Sequence, residues 1–141
     1  MTGKLATKVS IFFLLVFVSF SGPVCNALAQ GIEAKNYGGI AYMSGGIGLD
    51  EREQMVKMEQ SYNLKLIFAV QQGNFLTGVH VTITDSSGKT LLNAVSDGPW
   101  FYAALPAGTY TVAATNQGQT ISKAARVVAS GRTPVSFVWA K

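Results

Sequence analysis

Histidine and cysteine are almost absent from this chain: 141 residues contain one of each, His80 and Cys25. A lone cysteine cannot form an intramolecular disulfide, and Cys25 lies in a leader expected to be removed, which leaves no thiol nucleophile or thiolate ligand. A zinc site would have to be completed by carboxylates, and Ser-His-Asp chemistry has only His80 to draw on. Charge is sparse too, at 13% of residues. Lys4 and Lys8 belong to the leader, so nine cations and seven acids remain, for a net charge of +2. Those cations are scattered from Lys35 to Lys141 and mixed with the acids. A nucleic-acid binder needs a concentrated basic stripe, so that class is not expected; the scatter is that of a solvated surface. Beyond residue 29 no apolar run approaches the roughly twenty residues of a membrane-spanning helix.

The first thirty residues read as an export signal. Lys4 and Lys8 form a positive start, Val9 to Phe20 is an uncharged apolar run, and Gly22-Pro23 breaks it. Ala27-Leu28-Ala29 then places small residues where a signal peptidase reads, which predicts cleavage between Ala29 and Gln30. As a helix, twelve residues rise only about 18 Å, short of a roughly 30 Å hydrocarbon core. An uncleaved anchor and a lipoprotein attached through Cys25 are the alternatives, but Val24 is not the small residue a lipobox places before its cysteine. The expected location is the periplasm or the extracellular space.

Residues 30–63 form a lead-in. Tyr37 to Gly48 holds five glycines, with no Lys-Ser/Thr after them to make a phosphate loop and no dinucleotide spacing. It reads as turns around one short strand, about Ile40 to Met43. Asp50 to about Gln60 is the one predicted helix, with Asp50 as cap and Glu53 completing a capping box. Met55, Met58 and Tyr62 give it a narrow apolar seam, expected to lie across the sheet.

From Leu64 the period changes to two. Leu64, Leu66, Phe68 and Val70 alternate with Lys65, Ile67 and Ala69; Val79, Val81 and Ile83 alternate with His80, Thr82 and Thr84. Asp85-Ser86-Ser87-Gly88, Asp97-Gly98-Pro99, Leu105-Pro106-Ala107-Gly108, Asn116-Gln117-Gly118 and Ser130-Gly131 punctuate the segment as turns. The expected fold is all-β: a seven-stranded antiparallel sandwich over residues 64–141, preceded by one short N-terminal helix. Trp100 and Tyr102 are expected to face inward, as are Phe137 and Trp139, with Phe101 exposed. A bulge is expected within Ile121–Ala129.

Residues Leu64 to Trp139 resemble the carboxypeptidase regulatory-like domain, a transthyretin-like (prealbumin-like) sandwich. The likeness rests on Gly78-Val79-x-Val81-x-Ile83-x-Asp85, on Gly98-x-Trp100-x-Tyr102-x-x-Leu105-Pro106-x-Gly108-x-Tyr110-x-Val112, and on Val135-x-Phe137-x-Trp139. Leu105, Pro106, Gly108 and Tyr110 are the most specific part, and Tyr110 is expected to bond back to the nearby backbone as a tyrosine corner. In this chain Asp97 adjoins Gly98, where the family has a longer Asp-x-x-Gly turn. From residue 30 the chain also looks like small bacterial exported proteins that carry a Tyr-x-Ser-Gly-Gly element ahead of such a domain.

The transthyretin-like fold also hosts the hydrolase of 5-hydroxyisourate, which uses several histidines, an arginine and a C-terminal Tyr-Arg-Gly-Ser. This chain has His80 alone and ends Trp139-Ala140-Lys141, so that activity is not expected. Asp85 and Asp97 are explained by turns, and Asp50, Glu51 and Glu53 by a helix start, rather than as paired catalytic carboxylates. No cofactor, metal or catalytic residue is expected. The expectation is an exported, non-catalytic module for binding or structural contact with a protein or glycan of the cell envelope, with Tyr42, Met43 and Ser44 as candidate contact residues. Deletion of residues 30–48 would then leave the rest folded. The alternatives are a membrane-tethered envelope accessory and an enzyme with an unrecognised site.

Overall fold

The computed structural model describes residues 31–140; the leader, its cleavage site and Cys25 lie outside them. Nine strands are found among the described residues, in two sheets. Two belong to the lead-in, β1 (Lys35–Tyr37) and β2 (Ile40–Gly45). Helix α1 (Leu49–Met58) follows and ends in a 3-10 turn (Glu59–Ser61). The other strands are β3 (Leu64–Val70), β4 (His80–Thr84), β5 (Thr90–Val95), β6 (Trp100–Ala103), β7 (Gly108–Asn116), β8 (Gln119–Val127) and β9 (Thr133–Trp139). One sheet runs β1-β2-β6-β3-β9 and the other β5-β4-β7-β8.

The alternation read from the sequence fills the space between them. Leu64, Leu66, Phe68, Phe101, Phe137 and Trp139 from the first sheet meet Val79, Val81, Ile83, Leu92, Val112 and Ala114 from the second in one continuous core. The turns close as their residue types require. Asp85 Oδ1 accepts the backbone N–H groups of Ser87 and Lys89, and Gly88 takes the left-handed conformation at φ 85°. Gln117 and Gly118 both have positive φ, the signature of the tight turn that joins β7 to β8. The Tyr110 hydroxyl donates to the carbonyl of Pro106 at 2.5 Å, as a tyrosine corner should.

Several expectations are corrected. Residues 64–141 hold seven strands, but the sandwich has nine, because the lead-in is part of the sheet: β2 lies between β1 and β6, with Tyr42 opposite Ala103 and Gly45 opposite Trp100. The pairing is not wholly antiparallel, since β3 and β9 run parallel from Leu64↔Thr133 to Val70↔Trp139. The irregularity in pairing falls at Ile83/Thr84 between β4 and β5, whereas β7 and β8 pair without interruption. The faces of β6 are the reverse of those expected: Phe101 and Ala103 point into the core, and Tyr102 points to the other side, under the helix. Helix α1 starts one residue early, with Gly48 at its cap. Glu51, not Asp50, holds the entry, its Oε2 accepting from the N–H groups of Gly46 and Ile47 at 2.9 and 3.1 Å. The residue three after the cap reaches back, so the capping carboxylate is right in kind and shifted in place.

The helix does cross the sheet. Met55 and Tyr62 bury their side chains against Met43 of β2 and Tyr102 of β6, which forms a second, smaller core on the outer face of the five-stranded sheet. Burial of side chains of this size stabilises the fold by about 1.5–3 kcal/mol each. Met43→Ala is therefore expected to cost about 2–5 kcal/mol, and removal of residues 31–48 to abolish cooperative unfolding, both read by urea denaturation. A deletion product with a native far-UV spectrum and a cooperative transition would show that β2 is dispensable.

Candidate functional site

The segment Ser44-Gly45-Gly46 separates a polar cleft from an apolar face. On the cleft side, Ser44 lies near the end of β2 with its hydroxyl turned to Asp97. Its Oγ accepts the Asp97 backbone N–H at 2.9 Å and donates to Asp97 Oδ2 at 3.3 Å. The same carboxylate oxygen accepts from Lys35 Nζ at 2.7 Å, a bond that holds the Lys35 pKa above its ordinary value. Both side chains of this pair are largely solvated, so it contributes at most about 1 kcal/mol. Gly31, Ile32, Glu33, Glu51 and these residues enclose about 440 Å³.

Glycine is needed where the walls meet. A β-carbon on Gly98 would overlap the carbonyl group of Gly45, a backbone unit that cannot yield. Gly46, at φ 89°, presses against the Trp100 ring, which a β-carbon would meet at 3.2 Å. Two glycines thus let the turn before β6 lie directly on the end of β2.

On the other side, Arg52 of α1 donates from Nε to the Gly46 carbonyl at 2.7 Å, which fixes the guanidinium. Its centre lies 4.9 Å from the Phe75 ring and 5.4 Å from the Trp100 ring, within cation–π range. Lys65 Nζ covers Trp100 at 3.8 Å, and burial lowers its pKa. Leu49, Glu53, Val56 and Lys57 complete a shallow groove against Trp100. Leu49 is 72% exposed, Val56 50% and Phe75 51%; Ile47, just before the helix, is 64% exposed.

Behind the helix a polar network joins the layers. Glu59 accepts the Tyr102 hydroxyl at 3.1 Å and pairs with Arg132 Nη1 at 3.1 Å, while Arg132 Nη2 donates to the Glu59 carbonyl at 3.2 Å. Burial first, and the Glu59 charge second, push the Tyr102 pKa well above the usual phenol range; burial alone raises that of Tyr62.

The candidate contact residues do not form a contact surface. Met43 is fully buried under the helix, Ser44 is 6% exposed and tied to Asp97, and Tyr42 is half-buried and stacked on Phe101 with centroids 5.4 Å apart. The sequence marks their strand, about Ile40 to Met43, but not its place between β1 and β6. Leu105, Pro106, Gly108 and Tyr110 form the structural turn expected of them. Asn63 adds a support that no sequence pattern announces: its amide donates to the Leu105 carbonyl at 2.6 Å and its Oδ1 accepts the Leu105 N–H at 2.9 Å, locking that turn to the start of β3. His80 is exposed and bonds to Asn93 in the neighbouring strand. Among the described residues no group of three His, Cys, Asp or Glu side chains is placed to hold a metal, and no helix is long and apolar enough to cross a membrane. No family model matches the chain, and no curated protein matches it significantly.

Gly98→Ala is expected to cost about 3 kcal/mol through the clash with Gly45, and Ser44→Ala about 1–2 kcal/mol through the unpaired Asp97 N–H; equal unfolding midpoints for Gly98→Ala and wild type would refute the close approach. The tyrosines supply a pH test. Their raised folded-state pKa values favour the neutral phenol, so stability falls once the pH passes about 10, where unfolded tyrosine ionises. The 295 nm absorbance rise of Tyr62 and Tyr102 should coincide with alkaline unfolding, and Tyr102→Phe should shrink that late component. Complete ionisation of all tyrosines before unfolding would contradict it.

Proposed function

We propose that this chain is an exported, non-catalytic β-sandwich module of the prealbumin-like, carboxypeptidase regulatory-like type, which acts by contact with a protein partner. The carrying observation is the side of helix α1 turned away from its buried seam, where Leu49, Val56 and Phe75 stand exposed around Trp100 and Arg52. Scattered apolar side chains on a surface are ordinary, but several gathered beside one fixed cation and one indole form a contact patch. Its aliphatic groups, Leu49 and Val56, are open, whereas Arg52 stands over the Phe75 and Trp100 rings and Lys65 over Trp100; this favours a protein surface over a glycan, for which bare aromatic faces would be needed.

Support for a non-catalytic role comes from how the polar side chains are used. Ser44, Lys35 and Asp97 bond to one another, Glu51 holds the entry to the helix, and Glu59, Arg132 and Tyr102 join the 3-10 turn to β6 and the β8–β9 connection. Each has a structural task that catalysis would disturb. Export is supported by the positive, apolar and small-residue order of residues 1–29.

A photo-crosslinking side chain at Leu49 of the exported protein tests this reading. It should give discrete products in the cell envelope, absent with the same group at Ser86 in the opposite sheet's turn, on a chain whose first residue is Gln30. Equal labelling from both positions, or an intact leader, would overturn it.

A further inference from the structure

We propose that the occupant of the α1 face is a second copy of this chain, held by antiparallel pairing of the two α1 helices about a twofold axis. This rests on the reading of that face as the contact surface. Leu49, Arg52, Glu53 and Val56 are spaced i, i+3, i+4 and i+7, the repeat of a helix–helix seam. Read from either end, the stripe is apolar, charged, charged, apolar, with the two charges opposite in sign. A twofold axis passing between positions 52 and 53 sets Leu49 against Val56 of the second copy, and Arg52 against its Glu53. A closed dimer requires this self-complementarity, in which each contact occurs twice.

The geometry of the single chain prepares the pairing. Arg52 is fixed by its bond to the Gly46 carbonyl and by the rings of Phe75 and Trp100, so its charge stands in place before association. Among the described residues neither its terminal nitrogens nor the Glu53 carboxylate has a partner. Leu49 and Val56, 72% and 50% exposed, lie on either side of these charges along the helix. A parallel arrangement would set Arg52 on Arg52 and Glu53 on Glu53 and is disfavoured by repulsion. A bilayer would have to accept Glu53 between the two apolar side chains, so a protein with a matching cation is the better partner.

Sedimentation equilibrium of the exported protein from about 1 μM to about 1 mM spans the range of weak to moderate dimers. A monomer–dimer equilibrium is expected for the wild type. Glu53→Arg, which sets a second guanidinium against Arg52 of the mate, should weaken it by about tenfold or more. Leu49→Ser and Val56→Ser should weaken it likewise. All three positions make no internal side-chain bond, so thermal midpoints of the variants should stay with the wild type at concentrations where both are monomeric. Crosslinks from residue 49 should have twice the mass of the chain. A wild type monomeric throughout, or a dimer indifferent to all three substitutions, overturns the pairing. A monomer that crosslinks from residue 49 to a different protein ends this inference and leaves the contact-module reading standing. Sedimentation of monomer with anionic phospholipid vesicles, without crosslinks to protein, overturns both.

Discussion

Between the turn before β6 and the end of β2 there is no room for a side chain: the space a β-carbon of Gly98 would take is filled by the Gly45 carbonyl. Everything on that side of the molecule depends on this approach. It lets β2 enter the sheet beside β6, with Met43 opposite Tyr102 and Gly45 opposite Trp100. That pairing places Met43 and Tyr102 side by side on the outer face, and those two side chains make the floor on which Met55 and Tyr62 rest. The chain leaves β2 through Gly46, whose N–H is held by Glu51 and whose carbonyl is held by Arg52. The direction of the helix is thus set by the two glycines before it as much as by its own apolar seam.

The same economy is visible at the sheet edges. An open edge strand offers unpaired N–H and C=O groups to any passing strand. Here β8 and β9 belong to different sheets and are joined by side chains instead of a ladder: Lys123 Nζ donates to the Ser136 carbonyl, Thr133 Oγ1 to the Arg126 carbonyl and Trp139 Nε1 to the Gln119 carbonyl. Pro134 removes one donor from β9 outright. On the opposite side, Lys35 of β1 reaches Asp97 just beyond β5. The three bonds between β8 and β9 occupy carbonyls there, and among the described residues four of the exposed large apolar side chains, Ile47, Leu49, Val56 and Phe75, lie on the helix side, with Tyr37, Val95, Val128 and Val138 elsewhere.

How much can be read in advance follows from how many faces each strand buries. Strands β3, β4 and β7 bury one face, and their alternation marks the core residues in the sequence: Leu64, Leu66 and Phe68, with Val70 partly buried at the end, then Val81 and Ile83, then Tyr110, Val112 and Ala114. Strand β6 is covered on both sides, by the core and by the helix. Trp-Phe-Tyr-Ala is then apolar throughout and carries no phase, so the sequence does not say which parity faces inward, and an inward Trp100 and Tyr102 is the wrong one of the two. The role of β2 is hidden because glycine serves turns as readily as close approaches. The parallel pairing of β3 with β9 joins residues almost seventy positions apart and leaves no local mark. The tyrosine corner, in contrast, is made within five residues and is legible whole. Of the candidate contact residues in the Tyr-x-Ser-Gly-Gly element, Met43 and Ser44 are buried, and the exposed apolar side chains stand just beyond them, at Ile47 and on helix α1.

Helix α1 is itself the reason to assign the function to that surface. Its inward face is thin, with Met55 the one fully buried residue in ten. A helix this short is marginal in isolation, and its stability comes from tertiary packing. Exposed positions on such a helix would do best with polar helix formers, which cost nothing to solvate. Leu49 and Val56 stand there instead, and Val56, branched at its β-carbon, lowers helix propensity as well. Both keep half or more of their surface exposed in the single chain. Side chains that weaken solubility without strengthening the fold are what a contact surface of the kind proposed requires. Beside them Arg52 adds a fixed charge that such a surface can use for specificity, anchored to the glycine segment that leads into the helix.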